Sequence, residues 1–77
     1  MTTLDRVRSV VAAVLKVPEQ NLTPQSSPDD IESWDSMHHL QIILALEEEF
    51  SVHFDADEID GLQTVGALTM ALGERLG

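Results

Sequence analysis

The chain has 77 residues, 14 of them acidic and 4 basic, which gives a formal net charge of −10. It contains no cysteine, so a disulfide framework and a thiolate zinc site are excluded. Apolar residues at 43% are enough for a folded domain, but a chain this short is near the lower limit for one hydrophobic core and cannot also enclose a deep substrate pocket.

A single domain over residues 1–77 is expected. No apolar run approaches the roughly 18 residues of a membrane span. The first ten residues, MTTLDRVRSV, lack the apolar centre of a signal peptide. These features predict a cytoplasmic protein without a membrane role. Arg6, Arg8 and Lys16 stand near the start, and after Lys16 only Arg75 and the three histidines interrupt an acidic sequence. Such a field repels nucleic acid and anionic membranes and attracts basic protein surfaces and divalent cations. Acidic residues also serve solubility, but the skew is stronger than that role needs.

Leu4, Val7, Val11, Val14 and Leu15 recur at helical spacing, with Thr2 or Thr3 placed to cap the start and Asp5 in the first turn near the positive dipole end. Four valines lower the helix propensity, yet their order lacks the alternation of a strand. Pro18 ends the segment, because its ring cannot continue the hydrogen-bond ladder. From Pro18 to Trp34 the sequence is rich in Pro, Ser, Gln, Asn and Asp and reads as a long loop, a connection often tied to function. Leu22 and Ile31 are the residues expected to pin it.

The spacing predicts a second helix over about Ser36 to Phe50. Ile42, Ile43, Leu46 and Phe50 gather on one side of it. Met37, Leu40 and Leu44 gather on nearly the opposite side, flanked by Glu47 and Glu48. A small bundle buries one such face; the other needs a different cover. Asp55 to Leu62 reads as a short helical turn. Thr64 reads as the N-cap of a last helix carrying Val65, Leu68, Leu72 and Leu76, with Gly77 closing the chain. The expected fold is all-α: a small four-helix bundle with a short third helix and a long loop between helices one and two.

Asp35-Ser36 stands at the start of the second helix. A serine there is most often a cap or first-turn residue. A helix N-terminus also presents unpaired N–H groups and a positive dipole end, which suit a phosphate ester, and the adjoining loop leaves the hydroxyl within reach of a modifying enzyme. Asp35 is placed to help a transferase hold a metal ion near the reacting phosphate.

Other constellations carry less. His38 and His39 diverge by about 100° on a helix, whereas paired metal ligands prefer i, i+4, so no metal site is expected there. His39 faces the core side and is expected to be a packed, hydrogen-bonded residue; His53 falls in the loop after the second helix. Ser36 and His39 have the i, i+3 spacing of a nucleophile and its base. A hydrolase also needs an orienting acid, an oxyanion hole and a pocket, so no enzyme is expected. The stretch Asp55 to Gly61, DADEIDG, has the look of a calcium loop but fails as one: Ile59 takes the fifth loop position, the glycine comes one residue late, and Gly66 occupies the place of the bidentate glutamate.

Taken together, Asp35-Ser36-Met37, Leu40, Ile43 and Leu46-Glu47-Glu48-Glu49-Phe50 closely resemble the acyl carrier proteins, and Leu62-Gln63-Thr64-Val65-Gly66 resembles the start of that family's last helix. The resemblance spans essentially the whole chain. It implies a four-helix bundle in which Ser36 receives 4′-phosphopantetheine from coenzyme A through a magnesium-dependent phosphopantetheinyl transferase, with Asp35 in support. It implies a monomeric carrier whose arm ends in a thiol that holds acyl groups as thioesters. The second helix would meet basic patches on acyl-loading and acyl-processing enzymes, which assigns Met37, Leu40, Gln41, Leu44, Glu47 and Glu48 to partner binding. The first loop and helices two to four would open slightly to shelter an apolar acyl chain.

The sequence departs from the family pattern at Ser33, where a glycine is usual, at Trp34, and at His38 and Gln41, where carriers of fatty acid synthesis often have acidic residues. These changes remove negative charge beside the arm and point to a carrier of a specialised pathway, such as a polyketide or amino-acyl system. Two alternatives remain from the residues: an aminoacyl or peptidyl carrier, and a non-covalent acidic module for a basic partner.

Overall fold

Thr2 opens α1 (Thr3–Leu15) with a reciprocal cap: its Oγ1 accepts the Asp5 N–H (3.1 Å) while Asp5 Oδ2 accepts the Thr2 N–H (3.3 Å). The computed structural model describes residues 2–76, without the Leu76 side chain. Gly77 and the Leu76 side chain, both part of the expected last helix, therefore lie outside the described residues. α1 stops at Leu15, before Pro18, because Lys16 turns left-handed (φ 59°) and sends its N–H back to the Ala12 carbonyl.

α2 (Ser36–Phe50) has the boundaries that the spacing predicts. Asp35 caps it, and a left-handed Ser51 (φ 56°) ends it. α3 (Ala56–Ile59) is a single turn held by an Asp55–Glu58 capping box, so the acidic stretch that resembled a calcium loop forms a short capped helix. α4 (Val65–Leu76) starts at Thr64, whose Oγ1 accepts the Ala67 N–H at 2.9 Å. The fold is all-α, with four helices and no strand among the described residues.

α1 packs against both α2 and α4. The predicted inner faces meet in one core: Val7, Val11 and Leu15 from α1, Ile42, Ile43, Leu46 and Phe50 from α2, Val65, Leu68 and Leu72 from α4. Leu4 and Val14 pack at its edge. The long loop adds Leu22 and Trp34, both 2% exposed, while Ile31 is only half-buried. Leu22 thus pins the loop as expected, and Trp34 does so to a greater degree than Ile31.

The loop is fastened by polar groups as well as by burial. Arg8 donates from Nε to the Leu22 carbonyl (3.1 Å) and from Nη2 to the Glu19 carbonyl (3.0 Å) of a single 3₁₀ turn, Glu19–Asn21. Ser33 Oγ donates to the Leu15 carbonyl (3.1 Å). At its midpoint the loop meets the first turn of α4: Val65 N–H donates to the Ser26 carbonyl (3.2 Å) and Gly66 N–H to the Pro24 carbonyl (2.8 Å). These are N–H groups that a helix start leaves without internal partners. Gly66 is required here, because a Cβ would stand 2.9 Å from the Pro24 carbonyl oxygen. The loop end that carries Asp35 is thus tied to α1 and α4 before α2 begins.

Candidate functional site

Asp35 fixes the start of α2 with one carboxylate oxygen. Its Oδ1 accepts the His38 N–H at 2.9 Å and the His38 Nδ1–H at 2.8 Å. Those two hydrogen bonds, the backbone one first, hold the Asp35 carboxyl below its ordinary pKa. Oδ2 has no protein partner among the described hydrogen bonds and faces solvent on an exposed residue. His38 is therefore half of the cap.

Ser36 follows immediately and is exposed. Its backbone N–H and that of Met37 have no partner among the described hydrogen bonds, since the cap takes His38 and the helix ladder begins with His39 N–H to the Asp35 carbonyl (2.8 Å). A phosphodiester on Ser36 Oγ would meet those two N–H groups and the positive end of a 15-residue helix. The residues present thus fit a phosphopantetheine group at Ser36.

Beside Ser36 opens a cleft of about 430 Å³ between the loop, α2 and α3. Trp34, Ser36, His39, Leu40, Ile59 and Gln63 line it. His39 is 6% exposed, and both its nitrogens are engaged: Nδ1 accepts the Trp34 indole N–H (3.1 Å) and Nε2–H donates to the Ile59 carbonyl (3.0 Å). The indole donor fixes the neutral imidazole tautomer, with its proton on Nε2. His39 is thus the packed, satisfied residue that the sequence predicts, and it has no free nitrogen with which to serve Ser36 as a base. No group of three metal-ligating side chains occurs among the described residues.

The second stripe of α2 stays outside. Met37, Leu40 and Leu44 are 66%, 54% and 65% exposed. Gln41 and Glu48 are exposed beside them. Glu47 differs: its side chain is mostly buried, and its Oε2 accepts the Phe54 N–H (2.8 Å) and lies 3.3 Å from His53 Nδ1. It fastens the loop after α2, where His53 sits as expected. Sequence reasoning did not place the cleft residues Trp34, Ile59 and Gln63 together. A sole tryptophan directly before Asp35 was the available signal; nothing in the sequence marks the Ile59 carbonyl.

An exposed serine thus stands at a capped helix start, beside a cleft and an uncovered apolar stripe. The family described as the phosphopantetheine attachment site matches residues 5–72. An acyl carrier protein of Phenylobacterium zucineum (strain HLK1) is 34% identical over 74 residues, covering 96% of this chain and 94% of the relative. The solution NMR structure of a holo acyl carrier protein from Nitrosomonas europaea aligns with a TM-score of 0.85 at 33% identity, over 99% of this chain and 98% of that one. A holo acyl carrier protein from Geobacter metallireducens gives 0.87 at 32% identity, over 99% and 87%. The chain belongs to the phosphopantetheine-attachment-site family, and within it to the acyl carrier proteins.

Proposed function

We propose that Ser36 Oγ is the attachment point of 4′-phosphopantetheine and that α2 presents the loaded arm to partner enzymes. The observation that carries this is the exposed hydroxyl at the start of α2, beside two unpaired N–H groups and the cleft. In the transfer, Ser36 Oγ forms a bond to the pantetheine-bearing phosphorus of coenzyme A, the pyrophosphate linkage breaks, and adenosine 3′,5′-bisphosphate leaves; the serine proton passes to a base of the transferase. Asp35 Oδ2 is free to approach the transferase's magnesium ion, because Oδ1 alone holds the cap. When bound, the arm supplies a thiol that holds acyl groups as thioesters. The chain itself then acts as a carrier and not as a catalyst: the nearest histidine on its core side is spent on Trp34 and Ile59.

The docking surface is Met37, Leu40, Gln41 and Leu44, with Glu48 beside them, while Glu47 is turned inward to the Phe54 N–H. Apolar side chains at the centre and the Glu48 carboxylate at the rim fit an enzyme surface with an apolar pocket and a basic border. Partners of that kind are the phosphopantetheinyl transferase and the acyl-loading and acyl-processing enzymes. A monomer in the cytoplasm suits this role. Among the described residues no helix is long and apolar enough to cross a membrane.

The test is incubation with coenzyme A, magnesium and a broad-specificity phosphopantetheinyl transferase, with a known carrier in the same tube as control. Intact-mass spectrometry is expected to show one added phosphopantetheine on the wild type and none on Ser36→Ala. An unmodified wild type beside a modified control ends the proposal. The rival reading, a non-covalent module, expects Ser36→Ala to keep full activity while changes at Leu40 or Glu47 cost more than the change at Ser36.

A further inference from the structure

We infer that the Trp34–His39–Ile59 hydrogen-bond chain determines which cargo this carrier takes, by barring the path from Ser36 into the core and so suiting it to short or hydrophilic acyl groups. The inference rests on attachment at Ser36. One turn along the same face of α2 lies His39, which lines the cleft between α2 and α3 together with Ser36. His39 is a crossbar there. Its Nδ1 is joined to the loop through the Trp34 indole (3.1 Å), and its Nε2–H to α3 through the Ile59 carbonyl (3.0 Å). The two rings lie nearly parallel, 6.1 Å apart at 26°, and are 2% and 6% exposed. Behind them stand Ile42, Ile43 and Leu46, packed without exposure.

An alkyl chain that entered this core would part the crossbar. It would orphan an indole N–H and an imidazole, leaving the Ile59 carbonyl only the Leu62 N–H (3.2 Å), in a region where every buried side-chain nitrogen and oxygen among the described residues has a partner. A saturated chain offers no donor or acceptor in exchange. Outside the crossbar the cleft is lined by Pro28 and Leu40 and by the polar Asp35, Ser36, Asp60 and Gln63. That surface serves a short acyl group or one bearing hydroxyl, keto or amino functions, without any opening of the bundle. The shelter for a long apolar chain that the family resemblance implies is thus closed by His39 together with Trp34, one of the departures from the family pattern.

The experiment loads Ser36 with butyryl-, octanoyl- and dodecanoyl-phosphopantetheine, intact mass being read first. Failure to load is a failure of the attachment proposal, not of this one. On loaded protein, the indole N–H resonance of Trp34, the only tryptophan, and the methyl resonances of Leu46 and Leu68 are followed by NMR. Cleavage of the thioester by hydroxylamine is timed in parallel. The expected result is that lengthening the chain moves neither set of resonances and leaves the cleavage rate within about twofold. Shifts that grow with chain length, together with cleavage slowed about tenfold for dodecanoyl, overturn the inference. In His39→Leu the dodecanoyl chain is expected to enter, shift the Leu46 and Leu68 methyls and gain that protection. Should this variant not fold, Trp34→Phe/His39→Leu, which leaves no orphaned indole, takes its place with the methyl readout. A folded variant in which dodecanoyl still remains outside shows that the crossbar is not the barrier and overturns the inference as well.

Discussion

Asp35 shows how one side chain can close a helix and still keep an oxygen for another task. Oδ1 satisfies both His38 donors, so the carboxyl is held below its usual pKa. Asp5 and Glu58 are lowered in the same way, Asp5 chiefly by the Thr2 N–H and Glu58 chiefly by Arg75. All three favour the ionised form in the folded chain. The stability they contribute is therefore fully present above their ordinary values of 3.8, 3.8 and 4.5 and is lost as pH falls through the lowered folded values. Thermal melts taken downward from about pH 5 are expected to show a falling midpoint. In Asp5→Asn/Asp35→Asn/Glu58→Gln the fall should be shallower. Parallel pH profiles for wild type and triple variant would remove these three groups as the cause.

At the scale of the element, two glycines of α4 give opposite expectations from the same substitution. Gly66 touches the Pro24 carbonyl, and an added Cβ would sit 2.9 Å from that oxygen, which belongs to the backbone and cannot swing aside. Gly66→Ala should weaken the bond that ties the loop to α4, with a net loss of about 1–2 kcal/mol after the gain in helix propensity is set against it. Gly73 lies on the exposed side of the same helix, with nothing within 4 Å of the place a Cβ would take. Gly73→Ala should add about 0.5–1 kcal/mol. Denaturant midpoints for the two variants decide the matter: equal signs would mean that the loop does not lean on Gly66. The contrast also shows what the sequence makes legible. Periodicity gave α2 its ends, its buried face and its bare stripe, because those follow from the angle between successive residues. It placed His39 on the inner side for the same reason. It could not assign His39 its partners, since the Ile59 carbonyl is 20 residues distant and every residue carries a carbonyl. The same limit applies to Glu47, which spacing set beside the stripe and which the fold turns toward Phe54 N–H. The loop was legible as a loop but not as a clamped one, because its fastenings are backbone groups of α1 and α4 that leave no mark on residue type.

Across the whole molecule the charge balance is more one-sided than the count of basic residues implies. Each of the three arginines is engaged within the fold. Arg6 pairs with Glu49 and lies over the Phe50 ring; Arg8 holds the loop carbonyls and approaches Asp5; Arg75 joins Glu58, the His53 and Ala71 carbonyls and the Phe54 ring. The surface left to solvent is anionic nearly throughout, in a chain of net charge −10. Salt acts on this molecule in two opposed ways. It screens the mutual repulsion of the carboxylates, which favours the folded state, and it weakens the exposed arginine pairs, which does the reverse. The repulsion should win, because it sums over ten uncompensated charges, whereas exposed pairs contribute little and these arginines also keep carbonyl and aromatic partners that salt hardly touches. The thermal midpoint is thus expected to rise as sodium chloride increases toward about 0.3 M, where the Debye length has fallen well below the ~10 Å of 0.1 M. Magnesium chloride at matched ionic strength is expected to do no less. The same screening should slow capture by a basic partner, since the steering field that speeds encounter is the one that strains the fold. One titration of salt, read by melting and by the initial rate of modification at limiting transferase, should therefore move stability up and association down. If both rise, or if the midpoint stays flat, the surface charge is not what governs either.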